Sequence, residues 1–297
     1  MRYSKIKIML LMLLFPITSI AQHPVEIQKK TAEGDHYRAL VDFEKLPKRR
    51  RTVDARLAAA KSAWALGLVD RAAKEYDSLL RENQLSGDEV AKILISRGII
   101  ELQENRPEVA IVYADKAVKK LAQASPLRSR AWMLWGEALY DSKAYGSACQ
   151  KYTKALDEAL PPEKPEIEFS IGKCERQLGK YKEAINHFQR IPIYHQKTPE
   201  AVKNLAHVSL ELKEYDQAAF WLAKGKQEFP SSFLDSWVDY ALMQIAIHQN
   251  DSEQVKNLRE QAKEKYPPSD AWFALLEAAA EAYEWAEEVE KVAKNDK

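Results

Sequence analysis

The chain has 297 residues, 46% of them hydrophobic and 30% charged, a mixture too rich in core formers for a disordered protein. Its nine glycines make up about 3% of the chain, less than half the average usage of roughly 7%, which counts against turn-rich all-β folds and glycine-cradled phosphate sites. With 45 basic and 44 acidic side chains the net charge is +1, so there is no general electrostatic attraction for nucleic acid.

Residues 1–21 read as a secretory signal. Arg2, Lys5 and Lys7 form a positive start, Ile8 to Phe15 is apolar, Pro16 breaks the run, and Ser19-Ile20-Ala21 places small residues at the cleavage positions. The apolar stretch ends at Ile20 and is shorter than the roughly 18 residues that span a bilayer, which disfavours an uncleaved anchor. Cleavage leaves 42 basic and 44 acidic side chains on a chain starting at Gln22. That residue is not the cysteine a lipid anchor needs, so the expectation is a soluble exported protein, periplasmic or secreted.

From there the sequence repeats itself. A small residue recurs at Ala39, Ala72, Ala110, Ala148, Ala184 and Ala218, with Val255 as a seventh member, at spacings of 33 to 38 residues. Four and seven residues after each anchor the side chain is mostly apolar, as in Tyr76 and Leu79 or Phe188 and Ile191, and these steps mark one face of a helix. Five residues before the anchors stand Gly34, Gly67, Asn105, Lys143, Gly179, Lys213 and Asn250, where three Gly and two Asn suit a helix stop at positive φ. Twelve residues before lie Ile27, Ala60, Gly98, Gly136, Gly172, Ala206 and Met243, mostly small residues inside a second apolar-periodic segment. Each unit is therefore a hairpin of two closely approaching helices.

These residues resemble the tetratricopeptide repeat (TPR), most clearly in Trp135-Gly136, Tyr145, Ala148, Tyr152 and Ala155, in Gly172, Gly179, Tyr181, Ala184 and Phe188, and in Tyr215 and Ala218 followed by Pro230. The resemblance covers residues 24 to 267 and implies an all-α superhelical solenoid of about seven hairpins across residues 22–267, the first degenerate. In that family the leading helices line a concave groove. Alignment of the units puts Trp64, Ile95, Ile99, Leu102, Met133, Tyr140 and Phe169 there, followed by Lys173, Arg176 and Lys203. Lys61, Glu137, His207, Glu211, Tyr240 and Gln244 fall on the same surface. Either the apolar members form a binding patch or the lengthened units rotate them into the core. The resemblance also sets Cys149 and Cys174 on adjacent packed helices, where they could form a disulfide or remain two small buried thiols.

Residues 268–297 read as a capping helix. Ser269 and Asp270 offer an N-cap; Trp272, Leu275, Leu276, Ala279, Ala282, Tyr283, Ala286 and Val289 form a stripe towards the last repeat, and Glu277, Glu281, Glu284, Glu288 and Lys291 face water. The alternative is a homodimer seam through Trp285.

Catalytic motifs are missing from the sequence, with no His-Glu-x-x-His, Gly-x-Ser-x-Gly or phosphate-loop pattern, and neither catalysis nor a cofactor is expected. His207, His248 and Glu211 could share a surface as a crude metal site, though a solvated face explains them as well. The basic run Lys48-Arg49-Arg50-Arg51 reads as a solvated connector between hairpins rather than a phosphate contact. The favoured function is an interaction scaffold that binds a protein or peptide segment, within an envelope assembly. The alternative is glycan or solute binding, which would need exposed rings on which sugars stack.

Overall fold

The computed structural model describes residues 24–82 and 85–295, which form fifteen α-helices and no strand. The segment read as a secretory signal lies outside the described residues. The helices pair in chain order: α1 (Pro24–Ala32) with α2 (His36–Lys45), α3 (Val53–Ala65) with α4 (Val69–Leu79), and α5 (Gly87–Gln103) with α6 (Pro107–Lys120). Next come α7 (Arg128–Asp141) with α8 (Tyr145–Asp157), α9 (Lys164–Gln177) with α10 (Tyr181–Gln189), α11 (Thr198–Glu211) with α12 (Tyr215–Glu228), and α13 (Ser236–His248) with α14 (Ser252–Lys265). The last helix, α15 (Ala271–Asn295), packs on α13 and α14.

The turn inside every hairpin has one construction. Gly34, Gly67, Asn105, Lys143, Gly179, Lys213 and Asn250 all have positive φ, between 55° and 81°. In each case the next residue donates its N–H to the carbonyl five positions back, as Asp35 does to Lys30 and Asp251 to Ala246. This closure satisfies carbonyls that the helix end leaves open and reverses the chain within a few residues.

All seven anchors are fully buried in their hairpins. Where the residue four beyond the anchor is Tyr152 or Phe188, the facing helix makes room for its ring. A Cβ on Gly136 would stand 2.4 Å from the Tyr152 ring, and one on Gly172 would stand 2.7 Å from the Phe188 ring. Glycine is needed here for space rather than for its turn conformation. The buried residues group into six clusters, each shared by neighbouring helices, the first joining α1–α5 and the last joining α13–α15. Stacking thus buries faces that single hairpins would expose.

Asp270 starts α15, its Oδ1 accepting the N–H groups of Trp272 and Phe273 at 2.9 Å each. The single apolar stripe expected for this helix is split in two. Phe273, Leu276 and Ala280 are buried against α13 and α14, while Leu275, Ala282 and Val289 point to solvent. The acidic side is not simply solvated either, because Arg259 of α14 holds Glu277, Glu281 and Glu284 at 3.1, 3.0 and 2.7 Å.

Candidate binding groove

Successive leading helices, α5, α7, α9, α11 and α13, repeat the same surface positions. Ile95, Met133, Phe169, Lys203 and Tyr240 occupy equivalent places, as do Ile99, Glu137, Lys173, His207 and Gln244 one turn further on. The stack aligns them along four hollows. The first, of about 300 Å³, has Ile95, Ile99, Met133, Leu134 and Ile167 on its walls and Glu137, Glu163 and Glu166 at its edge. The second, about 260 Å³, shares Glu137 and Glu166 and adds Leu102, Tyr140, Phe169, Lys173 and Lys197. The third, about 280 Å³, is bounded by Arg176, Lys203, Asn204, Asp235, Trp237 and Trp272. The fourth, about 290 Å³, shares His207, Trp237 and Trp272 with it and adds Glu211, Tyr215, Tyr240 and Gln244.

Trp64 and Lys61, both on α3, are the exceptions among the aligned residues, Lys61 being exposed away from the hollows. Trp64 is the telling one. It borders none of these hollows, packs half-buried against the first core cluster, and donates its Nε1–H to Gln103 Oε1 at 2.6 Å. It straps α3 to α5 instead of offering a free ring. Ile95 and Phe169 reach the hollows only by an edge, being 8% and 4% exposed. Phe169 is held in the core against Phe188, ring centroids 5.9 Å apart. The accessible apolar surface is therefore that of Ile99, Leu102, Met133 and Tyr140, all half-buried.

The three expected cations differ in availability. Lys203 forms an ion pair with Asp235. Lys173 lies over the rings of Tyr140 and Phe169, 4.8 and 5.7 Å from their centroids. Arg176 pairs with no carboxylate among the described residues and borders the third hollow beside Asn204, whose Oδ1 is buried without a hydrogen-bond partner. Burial pushes Glu137 up to about 7, aided by Asp141 and Glu166 and opposed by Lys173 and Lys197. Burial, reinforced by Arg176, lowers His207, which stacks on Trp237 at 5.7 Å and lies 3.5 Å from Glu211.

All four hollows contain residues that the sequence alignment missed. Arg130, Glu166, Glu200 and Trp237 form one further column, a turn closer to the start of each leading helix. Extending the aligned stripe three residues back would have found them. Trp272 comes from α15, outside the repeat, and no alignment of hairpins could supply it.

Cys149 and Cys174 are both free thiols here, Cys174 buried and Cys149 half-buried. Cys174 directs its Sγ–H to the Tyr145 carbonyl at 3.3 Å. The neighbouring Cys149 thiol, with burial, raises its pKa. His248 stacks on Tyr215 at 3.8 Å, and among the described residues no group of three His, Cys, Asp or Glu is arranged to hold a metal. In the basic run Arg51 covers the Phe43 ring at 4.5 Å and donates to the Leu46 carbonyl at 3.0 Å, while Lys48, Arg49 and Arg50 form an exposed 3-10 turn.

Paired helices closed by left-handed turns, with small anchors and a groove on the leading helices, define a TPR-type superhelical solenoid. Residues 57–126 match the model of the tetratricopeptide repeat family. Among solved structures, PilF of Pseudomonas aeruginosa is similar with a TM-score of 0.57 at 17% identity, over 70% of this chain and 94% of its own. A chain of the Cut9–Hcn1 hetero-tetramer of the APC/C gives 0.63 at 15% identity, over 88% of this chain and 49% of its own, so this protein spans about half of that chain. MamA gives 0.50 at 15% identity, over 58% of this chain and 95% of its own. No curated protein matches the sequence. Among the described residues, no helix is long and apolar enough to cross a membrane.

Proposed function

We propose that the protein is a non-enzymatic scaffold that holds a segment of another protein in its concave groove. One observation carries this reading: the four hollows follow one another along the leading helices, the first two sharing Glu137 and Glu166 and the last two His207, Trp237 and Trp272, so one extended or helical segment could engage them in turn. Its apolar side chains would enter beside Ile99 and Met133. An acidic residue further along would meet Arg176, since Lys203 already has Asp235. The pattern of residues 1–21 supports a setting outside the cytoplasm, in the periplasm or beyond, where the scaffold would act within an envelope assembly.

A photo-crosslinking residue at Met133 tests the reading against one at Val112, on the outer helix α6 and 49% exposed. A discrete protein partner captured through Met133 and not through Val112 is expected; equal labelling would remove the groove from consideration. Cleavage before Gln22 is tested by the mass of the exported protein.

The aromatic end supports a second reading, binding of a glycan. Tyr240 and Trp272 lie 5.3 Å apart, inclined at 38°, with Glu211 and Gln244 close by. Tryptophan fluorescence that responds to oligosaccharides, and is lost in Trp272→Ala, would favour it over a peptide.

A further inference from the structure

The outward face of α15 carries its own repeat. Leu275, Ala278, Ala282, Trp285, Val289 and Val292 follow one another at alternating steps of three and four residues, and all six are exposed. Trp285 is 68% exposed and Val292 60%. Alternating steps of three and four are the seam of a two-helix coiled coil. At 100° per residue this seam lies nearly opposite Phe273, Leu276 and Ala280, which pack on α13 and α14. The helix therefore has two apolar faces, one filled by its own solenoid and one without a partner.

We propose that this second face binds the same face of another copy of the chain, with the two α15 helices antiparallel. Side-chain size selects both the occupant and the direction. In an antiparallel pair the first core position of one helix meets the second core position of the other. That sets Leu275 against Val292, Ala278 against Val289, and Ala282 against Trp285, so every larger side chain finds a smaller or equal one. A parallel pair would oppose Trp285 to Trp285 and leave Ala278 and Ala282 facing alanines, crowding one layer and emptying two.

On one side of the seam the flanking residues are Glu281 and Glu288, and in this register Glu281 of one copy lies beside Glu288 of the other; Arg259, 3.0 Å from Glu281 of its own chain, stands on that side and offsets part of the like charge. Because the seam points away from α13 and α14, the two solenoid bodies would lie on opposite sides of the helix pair. Two such faces would bury on the order of 1,000 Å², at the lower edge of specific interfaces, so the dimer should be weak and dependent on concentration.

Sedimentation of the full chain across a micromolar concentration series tests the proposal. The mass should double as concentration rises. Trp285→Glu should shift the midpoint upward by about tenfold or more, with helical circular dichroism unchanged, because the side chain is not part of the fold. Val289→Glu, at a different layer, should do the same and separates loss of the seam from an accident at one site. Register is read with cysteines: the pair Ala278→Cys with Val289→Cys should cross-link two copies under oxidation, and Ala278→Cys alone should not. A chain that stays monomeric throughout, or a dimer indifferent to both glutamates, overturns the proposal. Efficient cross-linking through Ala278→Cys alone would mean parallel helices and overturns it too.

Discussion

The two ends of the groove stand on the same hairpin frame and are finished differently. Between α5 and α9 the floor is aliphatic, with Ile99 and Met133 open to a ligand and carboxylates at the edge. Between α9 and α15 it is aromatic and polar, with Arg176, His207, Trp237 and Trp272. The frame depends on the anchor, turn and twelve-back positions, of which only the turn residue Lys213 borders one of the hollows. The floor depends on leading-helix positions that the frame leaves free. A TPR-type solenoid can thus change what it recognises along its length without changing how it folds.

Breaking the frame should have the largest effect. Gly136→Ala and Gly172→Ala drive a methyl into the Tyr152 and Phe188 rings, and each is expected to cost about 3 kcal/mol, read as a lower denaturant midpoint. Gly146→Ala, where a Cβ meets nothing within 4 Å, is the control and should cost nothing measurable.

Changing the floor should leave the frame standing. Met133→Ala and Trp237→Ala are each expected to weaken partner capture, by about 2 kcal/mol at the better anchor, with a smaller loss of stability because both side chains also rest on core clusters. If only Met133→Ala matters, the partner rests on the aliphatic end; if only Trp237→Ala matters, on the aromatic end. Trp64→Ala should behave oppositely, loosening the fold and sparing capture, because its ring is packed and bonded to Gln103.

A pH-dependent effect follows from Glu137, at the edge of the aliphatic end. Its folded pKa of about 7 lies above its ordinary value near 4.5. The folded protein therefore holds this proton between those two values while the unfolded chain releases it, and stability falls as pH rises from about 4.5 to 7, then levels off. Glu137→Gln should remove that slope and stabilise the protein at pH 8 by on the order of 2 kcal/mol, with little effect at pH 4.5. Parallel melting curves of the two proteins at every pH would show that Glu137 is ordinary.

The smallest change sharpens the frame itself. Lys143 and Lys213 hold φ near 60°, where a side chain is strained. Lys143→Gly should stabilise by less than about 1 kcal/mol, the relief of strain being partly offset by unfolded-chain entropy. A loss of stability would mean that the lysine contributes a contact worth more than the strain.

The hairpin count and turn positions were legible because they rest on backbone chemistry that repeats: positive φ needs Gly or Asn often enough to stand out, even though Lys143 and Lys213 fill two of the seven places. The groove was legible only in part. Periodicity assigns a residue to a helix face, but not how far the next helix covers it. Ile95 and Met133 occupy equivalent positions, yet Ile95 is buried and Met133 half-open. Trp64 shares its column with Leu102 and Tyr140 and is diverted by Gln103, a partner 39 residues away. The stripe of α15 was misjudged for a related reason, since an apolar helix with two faces looks from sequence like one with a single broad face.

The division of the core into six clusters means that cooperativity in this molecule is local. Neighbouring units are coupled and distant ones are not, so the chain can open a few hairpins at a time, and hydrogen exchange should reveal several opening energies instead of one. A segment lying across the hollows would touch α5 through α15 at once, joining units that otherwise communicate only through their neighbours. Bound protein would then exchange as a single block, making the ligand a longitudinal tie for an otherwise segmental spring.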